Sequence, residues 1–141
     1  MFKVSNALAA AQIAATLERF STGAGAAKLC LYTNTRPATP QDAPGADPQV
    51  VIELATPPGS VTAGVLSLIP STAGGTMVLL DGLPRWGRFF AAEGEPMADG
   101  DVTDSTHGGD IPLLGGTTPE GETSPMLYAG GLVLLGTVAL T

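Results

Sequence analysis

The sequence predicts a mainly β protein, an antiparallel β-sandwich of jelly-roll type with one N-terminal α-helix. From residue 76 onward, the chain reads as short apolar runs of strand length that are separated by Gly and Pro. The 141 residues include 19 Gly and 12 Pro, which requires many turns. We therefore expect one domain, with a helical segment at 1–25 and a β-sandwich at 26–141.

The helix is predicted at residues 6–20, where Ala is abundant. Ser5 or Asn6 can accept the free N–H groups of the first turn, and Gly23 follows the end of the helix. The apolar side chains that recur at helical spacing are Ala9, Ile13, Leu17 and Phe20. This face either covers the domain's own sheet or docks onto a neighbouring subunit.

The remaining apolar runs predict strands. They are residues 28–33, 49–54, 61–69, 76–80, 85–92 and 97–102, with one strand or a strand pair within 126–140. Residues 57–59, Pro-Pro-Gly, are expected to close the second strand, and Asp81-Gly82 is a strong turn dipeptide. Residues 93–96 are expected to turn between the strands of a hairpin at 85–102.

Between the first two strands, the loop at 36–48 carries four prolines. Proline donates no ladder hydrogen bond and fixes the backbone in extended or turn conformations, so no strand is expected here. The loop is long for a compact domain. It is either a contact element or a surface excursion.

Charge and cysteine content limit the classes of function. The net charge is −7 and only 13% of the residues are charged, which disfavours direct nucleic-acid binding and membrane-surface binding and favours a surface partly covered by partners. The single Cys30 lies in an apolar run and is expected to be buried. Neither the N-terminus nor the apolar stretch 127–140 has the pattern of a signal peptide or a membrane span, so we expect a soluble, unprocessed protein.

Residues 99–110 contain the side chains closest to a chemical motif. His107 lies between Ser105 and Asp110, but these residue types are common in loops and do not by themselves predict a triad. The four aspartates are Asp99, Asp101, Asp104 and Asp110. They do not match an EF-hand loop, so they are expected to form a polar turn, with a looser cation site as the alternative. The sequence therefore predicts no catalytic residue, no cofactor site and no metal site.

Arg85 and Arg88 flank Trp86 in the segment PRWGRFF. Strand alternation places Trp86, Arg88 and Phe90 on one face. Arginine next to tryptophan is common at interface hot spots. The alternative is that Trp86 and Phe90 lie in the core while both arginines lie outside it.

Three segments resemble a family of small proteins encoded in tailed phages and prophages. They are LYTNTRPATPQDAPG, GLPRWGRFFAAEGEPMADGDV and GGDIPLLGG. The residues that match the family pattern in order are Gly82, Trp86, Arg88, Gly94, Asp99, Gly100 and Val102, followed by Asp110 and Leu113. The resemblance covers most of the chain, more firmly from residue 82 onward. It implies a virion structural component and brings no catalytic residues.

We therefore expect a phage head decoration or minor capsid protein that stabilises the shell, is assembled in the host cytoplasm and resides in the virion. Its expected partners are the major capsid protein and copies of itself, with a trimer as the favoured homo-oligomer. The segments 1–20 and 36–48 are the expected contact elements. A tail, neck or baseplate subunit that binds tail proteins is one alternative, and a host-surface or carbohydrate-binding module is another.

Overall fold

A computed structural model describes residues 2–140 of the chain. Strands take up 39% of the residues and helix 11%, and the strands form a nine-stranded, mostly antiparallel sheet that curls on itself. The predicted class, a mainly β, sandwich-like fold with one helix near the N-terminus, is confirmed. The elements are α1 (Asn6–Phe20), β1 (Lys28–Tyr32), β2 (Val50–Thr62), β3 (Val65–Pro70), β4 (Thr76–Met77), β5 (Trp86–Phe90), β6 (Pro96–Asp104), β7 (Ile111–Leu114), β8 (Leu132–Leu135) and β9 (Val138–Leu140).

Helix α1 covers the chain's own sheet. It begins at the predicted cap, where the Ser5 hydroxyl accepts a hydrogen bond from the Leu8 backbone N–H at 3.1 Å. Ile13 and Phe20 are buried, Leu17 packs against the same core, and the helix lies against β2 and β3. The predicted apolar face is therefore confirmed, and it packs within the chain.

The strand order explains how one sheet encloses a core. It runs β4-β8-β7-β6-β5-β1-β2-β3-β9. Strands β8 and β9 are separated by only Gly136 and Thr137, yet β8 lies near one end of this order and β9 at the other. The sheet must curl to bring both ends together. The curl buries apolar side chains from eight strands, among them Leu29, Ile52, Leu66, Phe89, Val102, Leu113, Val133 and Val138.

The prediction that residues 57–59 close the second strand is wrong. Strand β2 continues to Thr62, with a shift of its register against β3 between Leu54 and Gly59. The two prolines lie in this irregular stretch, where no ladder hydrogen bond is needed from them. The turn comes later at Ala63-Gly64, both with positive φ (53° and 79°), as the tight turn of a β-hairpin requires. The predicted strand 61–69 is therefore divided between β2 and β3.

The predicted hairpin at 85–102 is confirmed as β5 and β6, which pair antiparallel from Trp86↔Asp101 to Phe90↔Pro96. Gly87 lies on the core face of β5. A Cβ atom at this position would lie 2.9–3.0 Å from side-chain atoms of Leu29, Leu31 and Ile111. Glycine is needed here because the core side chains approach the β5 backbone closely.

The prediction for residues 76–80 is altered, since only Thr76–Met77 forms a strand there. Residues 126–140 contain two strands, β8 and β9, which do not pair with each other: β8 lies between β4 and β7, and β9 pairs with β3. Strand β7 pairs parallel with β6, so the sheet departs from the predicted antiparallel pattern at this one pair. The connection between the parallel strands, residues 105–110, is short for a parallel crossover and contains His107.

Candidate functional site

The Asp104 carboxylate organises the crossover between β6 and β7. Its Oδ1 accepts hydrogen bonds from the backbone N–H groups of Thr106 (3.0 Å) and His107 (3.1 Å), and from the Thr106 hydroxyl (2.9 Å). Its Oδ2 accepts from the Thr118 hydroxyl at 2.6 Å. These bonds hold the loop 105–110 together. The segment therefore forms the polar turn that the sequence predicts.

His107 does not form a triad with its neighbours. Its Nδ1 lies 2.7 Å from Asp104 Oδ1 and 3.4 Å from Thr106 Oγ1, so the acid and the hydroxyl share one ring nitrogen. A triad requires the acid on one nitrogen and the nucleophile on the other. The ring is 43% exposed, and its pairing with Asp104 contributes to the loop.

The other three aspartates are directed to separate partners. Asp99 pairs with Arg88 inside the protein, Asp101 pairs with Arg36 at 3.1 Å, and Asp110 Oδ2 accepts from the backbone N–H of Asp101 at 3.1 Å. Residues 2–140 contain no group of three or more His, Cys, Asp or Glu side chains placed to hold a metal ion.

The hydrogen bonds from Thr118 and His107 hold the pKa of the Asp104 carboxyl well below its usual range. Because the pKa is depressed in the folded state, the resulting stabilisation is complete above the ordinary carboxyl pKa of about 4 and is lost as the pH falls through the folded-state value. We expect the urea midpoint of the wild type to fall more steeply with acidification below pH ~4 than that of Asp104→Asn. Asp47→Asn is the control, since Asp47 is exposed and makes no side-chain bond in residues 2–140. Equal slopes for wild type and Asp104→Asn would contradict this role.

Arg88 joins the Pro-rich loop to the sheet. Its guanidinium is only 2% exposed and makes a bidentate pair with Asp99 on β6, with distances of 2.7 and 3.0 Å. It also donates to the backbone carbonyls of Asp42 (2.6 Å) and Thr39 (3.2 Å) in the loop 36–48. The alternative with both arginines outside the core is therefore wrong for Arg88. It holds for the exposed Arg85, which lies 3.5 Å from Glu122.

Trp86 adds a second attachment for the same loop. Its indole N–H donates to Asn34 Oδ1 at 3.1 Å, and Asn34 Nδ2 donates to the Pro44 carbonyl at 2.8 Å. The indole stacks on Tyr32 with 4.5 Å between ring centroids, and the Arg88 guanidinium lies over it at 5.2 Å. Loop 36–48 thus covers a small second core on the opposite face of β1 and β5.

Cys30 belongs to this second core and is buried, as the sequence predicts. Burial raises the pKa of its thiol and raises the pKa of Tyr32 to about 12. Because the thiolate is the reactive form of cysteine, a thiol with a raised pKa reacts poorly. Cys30 therefore serves as a buried structural residue.

An uncovered apolar surface lies on β4, β7 and β8 and on the segment before β8. We call it the outer apolar face, and it consists of Met77, Leu114, Tyr128, Leu132 and Leu134, all of which are exposed. Strand register brings these residues together, since Leu114 pairs with Leu134 and Met77 pairs with Leu132. Leu132 is 68% exposed while its neighbour Val133 is buried. Strand β8 is therefore apolar on both faces, although only one faces the core.

Two hollows shape this face. One, of about 140 Å³, is lined by Leu114, Tyr128 and Leu132 among others. A second, more open one of about 510 Å³ lies between Tyr128, Met126 and Pro119. Both hollows could accommodate apolar side chains.

The outer apolar face carries no charged side chain, and two acidic residues lie next to it. Residues 123–141 contain no charged side chain. At the border, Asp81 Oδ1 accepts from the Ala129 backbone N–H at 2.7 Å, next to Tyr128, and the exposed Glu120 follows Pro119. Such an uncharged apolar patch with a polar rim is typical of a protein–protein contact surface.

Comparison of the chain with known protein families, curated proteins and solved structures found no match. Among residues 2–140, no helix has the length and hydropathy to cross a bilayer. The outer apolar face was not predicted from the sequence. Its signal was the run Leu132–Leu135, which lacks the polar alternation of a strand with one solvated face.

Proposed function

We propose that the protein is a structural subunit of a tailed-phage particle, a decoration or minor capsid protein of the head. The observation that carries this proposal is the outer apolar face. In an isolated copy of the chain, the five apolar side chains of this face are exposed to water, and the face itself carries no charged residue. The chain as a whole carries a net charge of −7. Burying such a surface against neighbouring subunits contributes roughly 25 cal/mol per Å², which would stabilise a shell through many repeated contacts.

The attachment of loop 36–48 supports a role as a rigid building block. Arg88 and Asn34 hold this loop on the chain's own sheet through side-chain bonds to its backbone. A pre-ordered loop presents a fixed surface and loses little entropy when it is buried in an interface. The loop therefore remains a proposed contact element, now as an ordered surface.

The N-terminal segment contributes to the proposed contacts through its exposed side chains only. Deleting residues 1–20 would remove Ile13 and Phe20 from the core, so a truncation would test folding as much as binding. The exposed apolar residues Phe2, Val4 and Leu8 are the part of this segment that is open to a partner.

The distribution of aromatic side chains gives less support to a carbohydrate-binding module. Such a module needs an exposed aromatic platform, whereas Phe20, Tyr32, Trp86 and Phe89 are buried. Within residues 2–140, the exposed aromatic side chains are Phe2 and Tyr128, which lie on different elements.

The proposal is tested by co-sedimentation of the purified protein with empty heads of the phage that encodes it. We expect saturable binding by the wild type and at least about tenfold weaker binding by Leu134→Asp, because a charge on the outer apolar face is not desolvated without cost. Val61→Asp is a matched control, since Val61 and Leu134 are both 39% exposed and Val61 lies on β2, outside the outer apolar face. Equal binding by both variants, or no binding by the wild type, would contradict the proposal.

A further inference from the structure

A short apolar segment before helix α1 is exposed to solvent. Residues 2–4, which we call the N-terminal arm, precede the cap at Ser5 and have no regular secondary structure. Phe2 is 99% exposed and Val4 is 51% exposed. The arm therefore presents two apolar side chains to solvent within three residues, and such a short apolar element can insert into hollows of a contact surface.

The charges of the arm and of the outer apolar face are complementary. The four arginines each pair with a carboxylate of the same chain: Arg19 with Glu93 and Glu95, Arg36 with Asp101, Arg85 with Glu122, and Arg88 with Asp99. Lys3, between the two apolar residues of the arm, has no such partner within residues 2–140. The border of the outer apolar face carries Asp81 and Glu120.

We propose that the N-terminal arm of one copy binds the outer apolar face of a second copy. Phe2 and Val4 enter the hollows around Tyr128 and Leu132, and Lys3 lies near the acidic border. Each copy has a net charge of −7, so copies repel one another except where uncharged or opposite surfaces meet. The arm and the face meet that condition. The inference rests on the proposed role of the outer apolar face as a contact surface and names its occupant.

The arm and the face are different surfaces of the chain, so the contact is head-to-tail. A head-to-tail contact generates a closed ring where the rotation closes, and a growing filament where it does not. A symmetric dimer, in which one patch meets its own copy, does not result from it. This difference makes the inference testable with two variants.

The experiment measures the solution mass of the full chain by sedimentation velocity. We expect wild-type protein to form oligomers, and Phe2→Ser and Leu132→Asp each to weaken self-association by about 30-fold, the effect of a single interface hot spot. Phe2→Ser retains an intact face, and Leu132→Asp retains an intact arm. An equimolar mixture of the two is therefore expected to form a 1:1 complex that grows no further.

Several outcomes would overturn the inference. They are a wild type that stays monomeric, variants that assemble as the wild type does, and variants that are monomeric separately and also when mixed. Because both side chains are exposed, circular dichroism of each variant should match the wild type and exclude unfolding as the cause. Monomeric protein that still binds heads in the manner sensitive to Leu134→Asp would refute the inference and leave the proposed function standing. Wild-type protein that forms oligomers, with complementation between the two variants but no binding to heads, would contradict the proposed function and leave the inference standing.

Discussion

Replacing Arg88 with Met is expected to destabilise the protein by about 3–5 kcal/mol, the usual cost of leaving one partner of a buried ion pair uncompensated. The guanidinium is 2% exposed and Asp99 is nearly as buried, so the remaining carboxylate has little access to water. Urea denaturation followed by circular dichroism measures the loss. Arg85→Met is the matched control: Arg85 flanks the same tryptophan but is exposed, and its replacement is expected to cost no more than about 0.5 kcal/mol.

A double variant separates the two roles of Arg88. Arg88→Met with Asp99→Leu removes both charges, and we expect it to be more stable than Arg88→Met alone. It still lacks the donors to the Thr39 and Asp42 carbonyls. Hydrogen exchange in loop 36–48 is therefore expected to be faster in both variants than in the wild type. Exchange at the wild-type rate in both would show that Arg88 does not hold the loop.

Replacing Phe20 with Ala is expected to cost about 3–5 kcal/mol, the range for removing a buried aromatic side chain. Phe20 is 1% exposed and packs edge-on against Phe89 with 5.9 Å between ring centroids, so it joins α1 to the sheet. Leu8→Ala on the same helix is the control. Leu8 is exposed, and its loss is expected to change the unfolding free energy by no more than about 0.5 kcal/mol.

The two positions on α1 test where the helix contacts its own chain and where it is free for a partner. A large destabilisation by Phe20→Ala with none by Leu8→Ala would locate the packed part at the C-terminal end of the helix. Comparable destabilisation by both would mean that the N-terminal turn is also packed, which would contradict its availability for assembly.

The elements that could be predicted from the sequence are those specified by neighbouring residues. The cap at Ser5, the alanines and the 3.6-residue spacing specify α1 locally. The alternation in residues 85–90 and the turn residues at 93–96 specify the β5–β6 hairpin in the same way. These predictions needed no knowledge of distant contacts.

The features that escaped prediction depend on distant partners or on unusual local geometry. Arg88 is buried because Asp99 and two carbonyls of a remote loop satisfy its donors. The short parallel crossover depends on a bond from Thr118 to Asp104, across 14 residues. The true end of β2 was missed because Ala63 adopts a positive φ, a conformation that favours Gly or Asn.

The candidate site escaped prediction for a related reason. An apolar residue at Leu132 or Leu134 has the same local pattern whether it faces a core or solvent. Only the order of the strands shows that Val133 faces inward and its neighbours outward. The absence of charge after Glu122 was visible in the sequence but does not by itself indicate which side of the strand is covered.

The measurement that tests the central claim most directly is the copy number of this chain in purified particles of the phage that encodes it, by quantitative mass spectrometry. Stabilisation of the head through many repeated contacts predicts a copy number comparable with that of the major capsid protein. A small fraction of that number would move the protein to the tail, neck or baseplate. Its absence from particles would contradict a role as a structural subunit of the virion.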